Sequence, residues 1–384
     1  MKYLIWLSEV LGAGNIHSQK ALKYFGSAQK IFNASQKERE ASGVFTKNEL
    51  SRFDKIPLSR ANDIVTDCIN SDIEIITLDD RKYPSNLKAI DCPPLVLYVK
   101  GKLPDFSNTP SLAVVGPRKV SEFGKKAAYS LSFRLARSGF VIVSGGALGC
   151  DTYAHAGALK SGGVTVLVMA CGINSDYLPK NRPLREEVTK KGCLISEYPP
   201  KADATKYSFP VRNRIMAGLT MGTVVVEAGE KSGALITARH ANEQGRDVFV
   251  IPGAPGTEEY KGSNALLRDG AKALIDLSDI YGEYITRFPD KINIDKAYDT
   301  KIIQKETVVE DKNSEPEKII SKKFNESLSK EAKIVYNCLD KSKFMPEEIL
   351  NTGLNSNELI SALTELEMEQ LIRAIPGGMY ELCN

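Results

Sequence analysis

No stretch of this 384-residue chain approaches the roughly 18 consecutive apolar residues that span a bilayer, so no transmembrane helix is expected. The opening MKYLIWLSEV has one lysine before a short apolar run, but Glu9 interrupts it and no small-residue cleavage site follows, which argues against a signal peptide. The seven cysteines (Cys68, Cys92, Cys150, Cys171, Cys193, Cys338 and Cys383) contain no Cys-x-x-Cys pair, and no histidine stands at metal-ligand spacing. Reduced thiols in a cytoplasmic protein are therefore expected, with no metal. Residues Gly145 to Gly149 do not spell Gly-x-Gly-x-x-Gly, and the following strand ends without an acid for a ribose, which argues against a dinucleotide. No glycine loop is followed by the lysine and hydroxyl pair of an ATPase. No serine, cysteine or histidine arrangement pairs a nucleophile with a base, so neither a catalytic residue nor a cofactor is assigned. A formal net charge of +3 is too small to imply nucleic acid by itself, and any basic surface must come from local clustering.

What is present is ordinary globular material: 42% hydrophobic and 26% charged residues in a length suited to two or three domains. Residues 1–71 read as short amphipathic helices broken at Gly12, Gly14, Gly26 and Gly43. They resemble a helix-hairpin-helix or SAM-like domain, whose glycine turn can offer backbone N–H groups to a phosphate. A plain packing or dimerisation module is the alternative. From Ile73 the pattern changes to apolar runs (IEIITL, LVLYV, SLAVVG, FVIVSG, VTVLVMA, CLISEY, TVVVEA, DVFVIPG) separated by helix-length segments. That alternation predicts an α/β domain over 72–286, a doubly wound, mostly parallel Rossmann-like sheet. Residues 287–327, rich in Lys, Glu, Asp and Asn, predict a linker. Residues 328–384 read as three helices (330–340, 346–351, 356–370) and a hairpin, the plan of a winged helix. The third helix carries Glu358, Glu365, Glu367 and Glu369, so a protein partner suits it at least as well as duplex DNA.

Ligands of parallel sheets bind at the carboxyl ends of the strands, so the residues after each strand are the candidates. Ser144, Gly145, Gly146 and Gly149 form a glycine-rich turn between a strand and a helix, where missing Cβ atoms and outward N–H groups suit an anion. The alternative is that these glycines serve only a tight turn. After SLAVVG come Arg118 and Lys119, and after TVVVEA come Lys231, Ser232 and Gly233, with Thr237 following. Lys201 and Lys206 are expected on the same rim. Arg212, Asn213 and Arg214 open a helix; for one arginine, a salt bridge to Glu227 or Asp151 is the competing reading.

The blocks VVGPRK, VIVSGGALGCDTYAH, GGVTVLVMACGINSDYLPKN, GCLISEYPP, FPVRNRIMAGLT, VVVEAGEKSGALITARHANEQGRDVFVIPG and GSNALLRDGA resemble, in order, those of the DNA-processing protein A family, also called Smf. The resemblance implies a cytoplasmic protein that binds single-stranded DNA, dimerises and loads the recombinase RecA during natural transformation. It also implies site roles. Arg118 would contact phosphate, and Gly145, Gly146 and Gly149 would cradle one beside Asp151 as helix cap. Phe209 would stack on a base beside Arg212, Asn213 and Arg214, and Ser232, Gly233 and Thr237 would form a second nest. Pro117 stands where a small residue is usual, and Gly146 and Cys150 where bulkier aliphatics are common. Lys180 in YLPKN has no direction from sequence alone.

The main rival is an enzyme. The sequence PGAPGTEE at Pro252 to Glu259 resembles the PGGxGTxxE motif of nucleotide phosphoribohydrolases in the lysine-decarboxylase-like group, but it lies one strand too late. It is expected to form a loop before Gly262-Ser263-Asn264. Glu227 is the acid that such chemistry would use. His155 and His240 are expected to be packed or surface histidines.

Overall fold

The structure is a computed structural model, and it describes residues 1–298, 328–338, 343–344, 354, 356–369, 371–375 and 379–382. It divides into two compact units, Met1–Ile302 and Ile303–Asn384.

The first unit begins with six helices: α1 (Lys2–Leu11), α2 (His17–Phe25), α3 (Ala28–Asn33), α4 (Gln36–Ala41), α5 (Lys47–Phe53) and α6 (Ser59–Asn70). Serine and threonine side chains start three of them. Ser27 caps α3, and capping boxes pair Ser35 with Glu38 and Thr46 with Glu49. Helix α1 buries Leu4, Ile5, Trp6, Leu7, Val10 and Leu11, and this cluster runs on into Leu97 and Ile215 of the following domain. The helices therefore share a core with the sheet, and the expected boundary at residue 71 does not separate two units. The glycine turn after α1 is spent internally: Gly14 N–H donates to Glu197 Oε1 at 3.1 Å.

The sheet has nine strands: β1 (Glu74–Thr77), β2 (Val96–Gly101), β3 (Ser111–Val115), β4 (Val141–Ser144), β5 (Thr165–Met169), β6 (Cys193–Ser196), β7 (Gly222–Val225), β8 (Asp247–Val250) and β9 (Lys272–Ala273). Their order is β1-β2-β6-β5-β4-β3-β7-β8-β9, antiparallel at β1–β2 and β2–β6 and parallel elsewhere. The eight expected runs all became strands; β9, two residues long, carries no periodicity to read. Along β3 the side chains alternate between two layers. Leu112 and Val114 pack beneath α8 (Glu122–Arg137), α9 (Cys150–Lys160) and α14 (Ser278–Tyr284). Ala113 and Val115 share the opposite layer with α11 (Ser208–Leu219) and α12 (Ala234–Glu243). Helices on both faces make the domain doubly wound, as expected. Helices α7 (Ser85–Lys88), α10 (Arg182–Lys191), α13 (Lys261–Arg268) and α15 (Ile294–Tyr298) complete this unit.

The domain does not end at residue 286. Phe288, Ile292 and Ala297 are buried in the layer beneath α8, and Asn293 N–H donates to Ser138 O at 2.9 Å. The expected linker therefore begins inside the packed domain, and its residues 299–327 lie outside the described residues.

In the second unit, α16 (Lys330–Cys338) and α17 (Ser356–Met368) pack around Leu328, Val335, Leu363 and Leu366. Strands β10 (Lys343–Phe344), β11 (Ile372–Ile375) and β12 (Met379–Leu382) form a sheet of order β10-β12-β11. The first and third helices and the hairpin lie where the sequence put them. The helix expected at 346–351 lies outside the described residues, and β10 was not foreseen. No helix among the described residues is long and apolar enough to cross a membrane.

Candidate functional site

From β3 the chain winds outward through β4, β5 and β6, then crosses back by α11 to β7 on the other flank of β3. The direction of winding reverses at β3 and β7, where such sheets open a crevice beyond the carboxyl ends of their strands. Three loops meet the rim: 116–121 after β3, 145–149 after β4 and 226–233 after β7.

The segment Arg212-Asn213-Arg214, which does not open α11 as expected but lies a turn inside it because the helix already begins at Ser208, fastens this rim together. Arg212 is 5% exposed, and its Nη1 donates to Gly145 O at 2.7 Å and to Val168 O at the end of β5. Its Nε donates to Asn213 Oδ1 at 3.1 Å, and Asn213 Nδ2 reaches Gly233 O at 3.4 Å. Arg214 Nη2 meets both oxygens of Glu197, just after β6, at 2.6 Å. Three consecutive side chains thus tie the loops and ends of β4, β5, β6 and β7 to one helix. Sequence reading placed both arginines against phosphate; burial instead commits their bonded nitrogens to the protein. The salt bridge falls on Arg214, as one of the two was expected to have, but its partner is Glu197 rather than Glu227 or Asp151.

The glycine loop is built differently from the expectation too. A Cβ on Gly145 would strike the Arg212 guanidinium, so that missing side chain makes room for an arginine rather than a ligand. Gly149 has φ +85°, and a Cβ there would lie 2.6 Å from Pro117 O, against the loop that carries Arg118. Ser144 is fully buried, donating to Val114 O at 2.7 Å, and Thr237 is buried within α12. Asp151 is not the cap: Gly149 is the N-cap residue of α9, and the Asp151 carboxylate accepts from Ala147 N at 3.1 Å. Burial pushes the Asp151 carboxyl above its ordinary range, opposed by the nearby Arg212 charge. Burial likewise pulls the Arg212 guanidinium below its ordinary range, opposed by Asp151. The amides of Gly146, Leu148 and Gly149 have no hydrogen-bond partner among the described residues. They stand beside the amino end of α9, where backbone N–H groups favour an anion.

Facing solvent is a smaller set. Arg118 is exposed, without an ion-pair partner among the described residues, and its guanidinium lies 5.0 Å from the centroid of the half-buried Phe209 ring. Phe209 also meets Tyr177, with centroids 5.4 Å apart and planes tilted by 55°. Lys119, Lys180, Lys206, Lys231 and Gly233 are exposed and Ser232 half-buried, whereas Lys201 pairs with Asp67 of α6 at 2.6 Å.

Sequence reading missed the supports. Asn181 Nδ2 donates to Gly146 O at 3.0 Å and to Thr152 Oγ1 at 3.3 Å, bracing the glycine loop. Arg185 Nη1 holds Tyr177 O at 2.7 Å. The YLPKN block carried the only sequence signal for Tyr177 and Asn181.

The rival chemistry finds its acid committed. Glu227 is fully buried, accepting from Ser121 N at 2.9 Å and Ser121 Oγ at 2.7 Å at the cap of α8, with Tyr260 Oη at 3.5 Å. Residues 252–257 form a loop that leads into a 3-10 turn, Glu258–Tyr260, and it is tied by Asn264, which exchanges hydrogen bonds with Gly253 N and O at 3.2 and 3.1 Å. His155 is a packed histidine: Thr165 Oγ1 donates to Ile142 O at 2.8 Å, so His155 Nδ1–H donates to Thr165 at 2.7 Å. His240 is a surface histidine beside Glu243. No group of three or more His, Cys, Asp or Glu among the described residues could hold a metal ion.

The family model described as DNA recombination-mediator protein A matches residues 74–285, from β1 through the whole α/β sheet. The chain belongs to this family. Against the "DNA processing protein DprA" of Bacillus subtilis (strain 168), this family member is 38% identical over 238 residues, 62% of its own length and 78% of the relative's. For the protein of the same name from Streptococcus pneumoniae (strain ATCC BAA-255 / R6) the identity is 41% over 207 residues, covering 54% and 72%. The solved structure of S. pneumoniae DprA aligns with a TM-score of 0.64 at 32% identity, covering 74% of this chain and 98% of that one. DNA processing protein A from Helicobacter pylori, solved for its single-stranded DNA binding mode, aligns with a TM-score of 0.51 at 29% identity, covering 56% and 98%.

Proposed function

We propose that this recombination-mediator family member binds single-stranded DNA along the rim formed by loops 116–121, 145–149 and 226–233 and the start of α11. One observation carries the reading: an exposed arginine lies on an aromatic ring beside a loop of amides at the sheet's switch point, and neither the guanidinium nor the amides have a partner among the described residues. Arg118 and Lys231 supply phosphate contacts, the amides of Gly146, Leu148 and Gly149 form an anion nest, and Arg212, Asn213 and Arg214 hold these parts in place. The H. pylori relative, described by its single-stranded DNA binding, supports the choice of ligand. Phosphate contacts carry no base information, so binding is salt-sensitive and tolerant of sequence.

The chain acts in this reading without catalysis, since Glu227 is committed to the cap of α8. The family's description as a recombination mediator supports delivery of the bound strand to the recombinase RecA. The resemblance of the sequence blocks adds a homodimer working in the cytoplasm to this reading. The winged-helix-like second unit serves a protein contact.

The test is fluorescence anisotropy with a labelled single-stranded oligonucleotide, competed by duplex of the same sequence. Binding that the duplex displaces poorly is expected; equal competition, or no binding at low salt, overturns the proposal. Light scattering at micromolar concentration tests the dimer, and a RecA strand-exchange assay tests the delivery.

A further inference from the structure

A base-stacking ring needs an open face, and Phe209 has neighbours on it. The Arg118 guanidinium stands 5.0 Å from its centroid and the Tyr177 ring 5.4 Å away. Two residues earlier, Tyr207 is 71% exposed. Its neighbour Lys206 places Nζ 5.0 Å from the Tyr207 centroid. The turn that displays this ring is pinned. Ser208, itself buried, accepts from Thr205 N at 3.1 Å through Oγ and donates from Oγ to Thr205 O at 2.8 Å; its own N–H bonds Thr205 O at 3.1 Å and Thr205 Oγ1 at 3.3 Å. With the backbone of the turn already ordered, only the two side-chain torsions of the tyrosine lose freedom when a flat partner settles on the ring.

We infer that Tyr207 is the base-stacking platform of this site, taking an unpaired nucleobase on its open face while Lys206 meets the adjoining phosphate. Phe209 acts through another residue, holding Arg118 by a cation–π contact. This rests on the single-stranded DNA reading above and divides the work of its two aromatic rings: Tyr207 stacks on a base of any kind and Phe209 sets a cation.

The test compares a dT oligomer with an abasic phosphodiester of equal length, which keeps the charge and lacks the bases. Tyr207→Ala is expected to weaken dT binding by about 5- to 140-fold, the loss of one stacked base. The same change should leave abasic binding as it was, and Tyr207→Phe should bind dT like wild type. In Tyr207→Trp, emission from the new indole is quenched by dT and not by the abasic strand; the chain's one native tryptophan, Trp6, is buried and gives a constant background. Tyr207→Ala binding dT like wild type, or losing both ligands alike, overturns the inference. If Arg118→Ala weakens binding while Tyr207→Ala does not, the inference fails and the DNA reading stands. If wild type binds neither oligomer, both fail.

Discussion

Replacing Arg212 with alanine removes a guanidinium that bonds Gly145 O and Val168 O and faces the buried carboxylate of Asp151. Hydrogen bonds to a charged group are worth about 1.5–3 kcal/mol each, and removing one partner of a buried charge pair costs about 3–5 kcal/mol. Because these terms overlap, and a stranded Asp151 can take up a proton, we expect a loss of about 3–5 kcal/mol, large against a typical total of about 5–15 kcal/mol. Arg118→Ala is the contrasting change. Its side chain is exposed and gives up only the contact with Phe209, about 0.5–1 kcal/mol. Urea unfolding followed by Trp6 fluorescence reads both variants, since Trp6 lies in the same compact unit as the site. The Arg212→Ala midpoint should fall sharply while Arg118→Ala stays near wild type. In a salt series with a dT oligomer, Arg118→Ala should bind more weakly, with a slope of log affinity against log salt shallower by about 0.7, one phosphate contact on a single strand. Equal destabilisation by the two changes, or an unshifted midpoint for Arg212→Ala, would refute this division of labour.

Burial, reinforced by the Arg212 charge, holds His155 at about 3, below its ordinary 6.5. The unfolded chain therefore takes the proton first, and stability present above about pH 6.5 drains as pH falls toward 3, by no more than about 1.4 kcal/mol per pH unit. His155→Gln should flatten that profile in urea titrations between pH 6.5 and 4; an unchanged slope would assign the acid sensitivity elsewhere. Gly149→Ala puts a Cβ 2.6 Å from Pro117 O at φ +85°, so it should loosen DNA binding as well as lower the melting temperature. Gly162→Ala, at φ +77° with nothing among the described residues within 4 Å, should affect only melting, and equal binding losses would contradict the site-specific argument. Glu197→Gln leaves Arg214 buried without its countercharge and weakens the acceptor of Gly14 N–H. Faster amide exchange at Gly14 is the expected result, and unaltered protection would show that the helical segment docks by other contacts.

Much of the fold was legible because its physics is periodic. Runs such as SLAVVG and FVIVSG are apolar throughout, as strands covered on both faces must be, and the glycine loops fell at their carboxyl ends. The antiparallel β1–β2 edge and the order of strands were not legible, since register and partner choice are set by contacts distant in sequence. The same limit governed the site. The blocks singled out Arg118 and Arg212 alike, but sequence gives no burial for a charged residue, so Arg212 looked as available as Arg118. Glycine is equally ambiguous, because a missing Cβ can admit a ligand or a neighbouring arginine, and only the position of Arg212 decides for Gly145. Asn181 escaped because its role depends on a turn meeting a loop 35 residues away. The end of the α/β domain was misjudged for a related reason: a polar-looking tail hides Ile292 and Ala297, two small anchors that α8 covers.

The central claim is one of place: the strand lies along the carboxyl-end rim. Photocrosslinking of the full chain to an oligonucleotide containing 4-thiothymidine, mapped by peptide mass spectrometry, tests it directly. The account predicts adducts in residues 116–119, 145–149 and 206–209, diminished in Arg118→Ala. Adducts confined to the opposite edge of the sheet, around 101–107, or to the second unit would contradict it.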